Sequence, residues 1–165
     1  MIIRRFILCT SLLAAAVASP ACDATVERVT RGQVRVAASP DLKVALGELV
    51  ERFGEAHDVD VTVTYGPPEA LYAQLLDRAP FDMFLCADLH YPNELVTRGL
   101  TLPQTEFTYA SGRLETERER RQPRGGVIMQ WTADPDAARA LRGFLLSADG
   151  RAILERAGFS MPDRR

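Results

Sequence analysis

Apolar positions along the chain follow two alternating periods. Gln33 to Ala38 is a short valine-rich run that predicts a strand, ending in Ala37-Ala38-Ser39-Pro40. Leu42, Ala45, Leu46, Leu49, Val50 and Phe53 then fall at i, i+3, i+4, i+7, i+8 and i+11, which is one face of a helix. Ser39 is a suitable N-cap for it, Pro40 fits the first helical position, and Asp41 favours the first turn. Val59 to Tyr65 returns as a β-branched strand, broken by Gly66-Pro67-Pro68. A second helix is predicted over residues 69–77, with Leu71, Leu75 and Leu76 facing inward, and Ala79-Pro80 ends it. Phe81 to Ala87 is apolar enough to be a strand covered on both faces of a sheet. A shorter helix over 91–98 stops at Gly99, in the usual C-terminal glycine position.

Strands separated by single helices predict an α/β fold with a mostly parallel sheet flanked by helices. Past residue 100 the regularity fails. Phe107 to Ala110 reads as a strand, but Ser111 to Arg124 is polar, rich in Glu and Arg, and has no core face. Gly126 to Trp131 is strand-like again, with Trp131 read as core. Thr132 to Asp134 can cap a helix whose inner side carries Ala138, Leu141, Phe144 and Leu145. Ser147 to Gly150 punctuates it, Ile153 and Leu154 mark a last helical segment, and Gly158 closes it. No internal repeat is present.

The chain's 165 residues suit one domain with its own core, and a formal charge of -2 gives no broad electrostatic argument for nucleic acid or an anionic membrane as a partner. The N-terminus adds an address. Arg4 and Arg5 precede an apolar run from Phe6 to Ala18, and small residues follow at Ser19 and Ala21. Residues 1–21 therefore read as a signal peptide, cleaved near Ala21 or Ala24, which predicts export to the periplasm. Cys22 stands where a lipid anchor would be attached, although Pro20 and the lack of a leucine three residues earlier fit that poorly. Cys9 belongs to the signal, Cys86 reads as a small buried residue, and no spacing argues for a Cys22–Cys86 disulfide.

Candidate chemistry is sparse. His57 and His90 are isolated and read as solvated surface residues, so no metal site is expected. Asp82, Asp88 and Glu94 have simple roles at a strand end, a turn and a helix surface. No nucleophile, base and acid fall in a convincing order, and no cofactor motif is present, so no catalytic residue and no cofactor are expected.

Four segments in order resemble the molybdate-binding component of bacterial ABC importers. They are Val34-Arg35-Val36-Ala37-Ala38-Ser39 before an amphipathic helix; Ala79-Pro80-Phe81-Asp82-Met83-Phe84-Leu85-Cys86-Ala87-Asp88, with Cys86 where a serine is usual; Thr108 to Leu114; and Ala140 to Phe159. The resemblance covers residues 33–114 and 126–162. It implies a type II periplasmic-binding-protein fold, in which two α/β lobes close on an oxyanion. In that family the chain between these parts builds the second lobe, on the order of 100 residues, an ordinary domain size. Here residues 115–125 form only a charged bridge. The expected organisation is a signal peptide, a first part of lobe I over 33–114, the bridge in place of lobe II, and a completion of lobe I over 126–162.

The same resemblance makes Ser39 a ligand-contacting residue, through its hydroxyl and its N–H. Its capping role competes for the same hydroxyl. Pro68 aligns with the family's second ligand serine but offers neither a hydroxyl nor an N–H. Glu69 adds a carboxylate that repels an anion, and Pro67-Pro68-Glu69 reads as a sound helix start. A charge-assisted hydrogen bond is worth roughly 1.5–3 kcal/mol, so these losses predict weakened or lost binding. The expectation is an exported solute-binding protein of a molybdate or tungstate importer, docking on its permease, with a partner chain over the missing-lobe face. The other reading is a degenerate single lobe without transport function, kept as an interaction domain or a gene remnant.

Overall fold

The apolar runs become elements close to where their periods place them. The structure is a computed structural model that describes residues 31–113 and 122–161. The signal segment with Cys9 and Cys22, and residues 114–121 of the bridge region, lie outside the described residues. The elements are β1 (Gly32–Ala38), a 3-10 turn (Pro40–Leu42), α1 (Lys43–His57), β2 (Val59–Tyr65), α2 (Pro68–Leu76), β3 (Met83–Cys86), α3 (His90–Thr97), β4 (Phe107–Arg113), β5 (Pro123–Ile128), α4 (Pro135–Leu146), α5 (Ala148–Arg156) and β6 (Phe159–Ser160).

Local chemistry sets most boundaries. α1 buries Ala45, Leu46, Leu49 and Phe53 and ends at Asp58, which takes the left-handed conformation at φ 48° that short polar side chains tolerate. α2 starts on Pro68, where a missing N–H costs no helical bond. It buries Leu71 and Leu75, but Leu76 is 37% exposed and does not face inward as its residue type suggests. The reason is geometric: Leu71 and Leu75 are stacked at i and i+4, and the next residue lies about 100° round the helix. Gly99 ends α3 at φ 67°. Asp134 caps α4 by accepting the Ala137 N–H at 2.9 Å, and Ser147 caps α5 by accepting the Gly150 N–H at 3.2 Å.

One sheet runs in the order β2-β1-β3-β5-β4-β6. β1 is parallel to β2 and to β3, with α1 and α2 on opposite faces, as right-handed crossovers in opposite directions require. The remaining pairs, β3 with β5, β5 with β4, and β4 with β6, are antiparallel. The α/β single lobe is as expected, but the sheet is mixed and not mostly parallel. Only nine residues separate Arg113 from Pro123, and a parallel return needs a crossover of about a dozen or more.

Two cores cover the two faces. Val34, Val36, Met83, Leu85, Tyr109 and Ile128 pack under α1, α4 and α5, while Ala37, Phe84, Cys86, Val127 and Met129 pack under α2 and α3. β3 therefore alternates between two apolar environments, which is why all four of its residues are apolar and buried. Phe144 is only partly buried at the rim of the first core, and Trp131 at that of the second, where its indole N–H donates to the Ala79 carbonyl at 3.1 Å. β5 fits between β3 and β4 because Gly126 has no side chain: a Cβ there would stand 2.7 Å from the Phe84 carbonyl oxygen. β5 begins at Pro123, so the last residues of the charged stretch are strand.

Asp82 ties β1 to the segment just ahead of β3. Its buried carboxylate accepts the Arg35 backbone N–H at 2.8 Å and the Arg35 side chain at 3.0 and 3.2 Å. No helix among the described residues is long and apolar enough to cross a membrane.

Candidate functional site

In open α/β sheets ligands bind beyond the carboxyl ends of the strands, where neighbouring connections diverge. Here that place is the junction of β1 and β3, whose connections leave to opposite faces. Ser39 follows β1 directly and is 1% exposed. Its N–H donates to the Leu85 carbonyl at 3.0 Å, and its Oγ accepts the Ala87 N–H at 3.0 Å. The structure shows no capping bond from its side chain to the helix. The cap expectation fails because the strand-end amide of Ala87 takes the hydroxyl first. The N–H is also unavailable to a ligand, since it continues the β1–β3 pairing. What Ser39 keeps is the proton of its hydroxyl, beside the Cys86 thiol.

The turn before α2 is drawn to the same place, because the Gly66 N–H donates to the Ala38 carbonyl at 3.2 Å. Pro68 is the first residue of α2, as its sequence context suggests. The Ala70 and Leu71 N–H groups both donate to the Pro67 carbonyl at 3.1 Å. With two prolines ahead of them, this helix start offers an anion little beyond the Glu69 amide. Glu69 itself is exposed. Partial burial pushes the Tyr91 phenol up, and the charges of Glu69 and Asp88 push it further, which marks this flank as negative.

On the opposite flank stand residues whose roles the sequence does not reveal. Arg124, at the start of β5, donates to the carboxylate of Asp41 in the 3-10 turn, 83 positions away. Its guanidinium also stands over the Phe159 ring, 5.4 Å from the centroid. The pair is largely enclosed, with side-chain exposures of 12% for Arg124 and 25% for Asp41. Tyr109 lies beneath it and donates its hydroxyl to the Cys86 carbonyl at 3.1 Å. Burial pushes its phenol well up, and the Asp41 charge adds to this while Arg124 works against it. Burial likewise raises the Cys86 thiol, a free cysteine, against the pull of the Asp88 amide and the Ser39 hydroxyl.

Ser39, Asp41, Cys86, Tyr109 and Arg124 thus form one cluster at the strand ends. The other residues considered lie elsewhere or have structural partners. His57 is exposed and stacks on Phe53 at 4.4 Å, and His90 is exposed at the start of α3. Asp88 accepts the His90 N–H at 2.9 Å, and Glu94 pairs with Arg98 one turn on. Asp82 sits at the far end of β3. Among the described residues, no three His, Cys, Asp or Glu side chains group closely enough to hold a metal ion. The cluster can offer a small oxyanion one hydroxyl and one guanidinium, the latter shared with a carboxylate.

The profile of the bacterial extracellular solute-binding protein family matches residues 34–115. The molybdate-binding protein ModA of Rhodobacter capsulatus is 32% identical over 104 residues, covering 63% of this chain and 36% of that protein. ModA of Azotobacter vinelandii is 32% identical over 82 residues, covering 50% of this chain and 32% of that one. The chain therefore spans about a third of the length of the curated relatives it matches. The solved Azotobacter vinelandii periplasmic molybdate-binding protein superimposes with a TM-score of 0.69 at 16% identity, covering 79% of this chain and 100% of that chain. Over the matched residues, sequence and fold agree in making the chain similar to bacterial extracellular solute-binding proteins, two molybdate-binding proteins among them.

Proposed function

We propose that this chain is an exported, periplasmic solute-binding protein of a molybdate- or tungstate-type ABC importer, reduced to one lobe and weakened in ligand binding. The observation that carries this reading is Ser39, held at the β1–β3 junction beyond the strand ends, its hydroxyl accepting the Ala87 N–H beside the Cys86 thiol. Residues 1–21 supply the export signal, and the importer's permease is the downstream partner. The charged bridge stands in place of the second lobe, so a partner chain would have to cover the open face.

Weak binding follows from the donor set. Pro68 has no N–H, the Ser39 amide bonds Leu85, and Glu69 and Asp88 leave the flank negative. Each missing charge-assisted bond costs roughly 1.5–3 kcal/mol, and about 1.4 kcal/mol is tenfold in affinity. The same engaged amides favour a second reading, a lobe that no longer binds solute and serves as an interaction module.

Calorimetric titration and thermal shift with sodium molybdate, tungstate and sulfate test both. The expected result is measurable but weak stabilisation, since ligand at 100 times Kd adds about 2.7 kcal/mol. A submicromolar Kd overturns the weakening. No shift at any attainable concentration removes the oxyanion role and leaves the interaction module.

A further inference from the structure

The Asp41–Arg124 pair is the part of the cluster that neither the family resemblance nor the strand-end geometry explains. Its two residues, one in the turn after β1 and one at the end of the charged stretch where β5 begins, meet at the strand ends, within the cluster that holds Ser39 and Tyr109. Each partner keeps one buried polar atom without a hydrogen bond, Asp41 Oδ1 and Arg124 Nε. A guanidinium has five donors and a carboxylate about four acceptor sites, so a pair kept only for stability would be expected to fill more of them. A buried polar atom left without a partner costs about 1–3 kcal/mol. The geometry is that of a planar donor with spare capacity, met by a carboxylate that engages it through one oxygen and leaves the other unpaired.

We infer that Arg124 is an oxyanion-binding residue of this chain, and that Asp41 is an internal carboxylate occupying it when no ligand is bound. The inference deepens the proposed oxyanion role and rests on the same cluster. A tetrahedral dianion such as molybdate or sulfate can accept two parallel bonds from a guanidinium, as a carboxylate does. It would then meet the Ser39 hydroxyl on its other side. With Asp41 ionised the pair is neutral, so an incoming anion finds no net positive charge and is repelled by the carboxylate. Removing the Asp41 charge leaves a largely enclosed guanidinium without its counter-ion, and an external oxyanion becomes the group that restores it. The substrate class is set by charge and shape: a small, tetrahedral, doubly charged oxyanion.

The test uses the full chain and the variants Asp41→Asn, Arg124→Gln and Asp41→Asn with Arg124→Gln. Each is titrated with sodium molybdate and with sodium sulfate against sodium chloride at matched ionic strength, after circular dichroism confirms folding. Asp41→Asn should bind molybdate at least tenfold more tightly than the unsubstituted chain, and Arg124→Gln should abolish that gain. A folded Asp41→Asn with no gain overturns the inference, as does a gain that survives in the double variant. If Asp41→Asn does not fold, Asp41→Ser is read by the same criteria. In whichever of the unsubstituted chain and Asp41→Asn binds molybdate, the Arg124 Nε–H resonance, identified by its loss when Arg124→Gln is added, should move on titration; a stationary resonance in a chain that binds also overturns the inference. If the unsubstituted chain shows no binding while Asp41→Asn does, the inference stands and the binding proposed for the unsubstituted chain fails.

Discussion

Asp82 gives the sharpest test of how this lobe is held together. Its carboxylate accepts the Arg35 N–H at 2.8 Å, the Arg35 Nε and Nη2 at 3.0 and 3.2 Å, and the Ala133 N–H at 3.4 Å. Its own N–H donates to the Arg35 carbonyl at 2.8 Å. The side chain therefore extends the β1–β3 pairing to a position where β3 has not yet begun. Asp82→Ala strands the Arg35 amide between the strands, where water cannot replace the acceptor. The guanidinium is 35% exposed and can be rehydrated, so most of the loss comes from the amide and the charged bond to it. A stranded buried donor and a lost charge-assisted bond together amount to about 3 kcal/mol. Asp82→Asn keeps an acceptor for the amide and should cost about half as much. Urea unfolding followed by circular dichroism measures both, with the slope unchanged and the midpoint lowered.

The pH dependence has a definite sign. Burial alone would raise the Asp82 carboxyl, but the Arg35 side chain, its backbone N–H and its charge together hold it below the usual carboxylate range. A depressed folded pKa contributes stability that is complete above the unfolded value and is lost as pH falls through the folded one. The gap between the unsubstituted chain and Asp82→Asn should be constant near neutrality and shrink below about pH 4, the ordinary aspartate range. An Asp82→Ala variant within about 0.5 kcal/mol of the unsubstituted chain, the usual scale of a neutral surface change, would refute the reasoning. So would a gap that widens in acid.

Two further substitutions test the packing of the second half. Gly126→Ala puts a Cβ 2.6 Å from Leu85 Cδ2 and 2.7 Å from the Phe84 carbonyl oxygen, and overpacking of this kind costs about 1–3 kcal/mol; a melting temperature equal to that of the unsubstituted chain would show that β5 has room. Asp134→Ala removes the α4 cap and should cost about 1 kcal/mol in urea unfolding, with Asp134→Asn restoring most of it.

What the sequence displays well is whatever depends on near neighbours. The inward face of α1, the Asp134 and Ser147 caps and the Gly99 stop are local, set within a few turns by period and side-chain chemistry. The family fold is legible because several such segments occur in order. Long-range competition is not legible. Ser39 reads as a cap, yet the Ala87 amide, 48 positions away, takes its hydroxyl. Asp82 reads as a strand end, and its partner Arg35 is 47 positions away. Arg124 lies among Glu and Arg residues that look like one solvated run, and nothing near it in sequence points to Asp41. The antiparallel half of the sheet was hidden for another reason. Helix-separated strands set the parallel expectation, and the short link between β4 and β5 carries no apolar period to contradict it.

The position of β5 in the strand order bears on how the molecule comes together. It lies between β3 and β4, so two strands made earlier in synthesis are joined by one that leaves the ribosome after both. Until Pro123 to Ile128 is in place, β3 and β4 each present an open edge, two templates for pairing with another chain at once. Neither half can close its own sheet in the meantime. The lobe should therefore form as a single late cooperative unit, with its period of greatest aggregation risk falling just before β5 arrives.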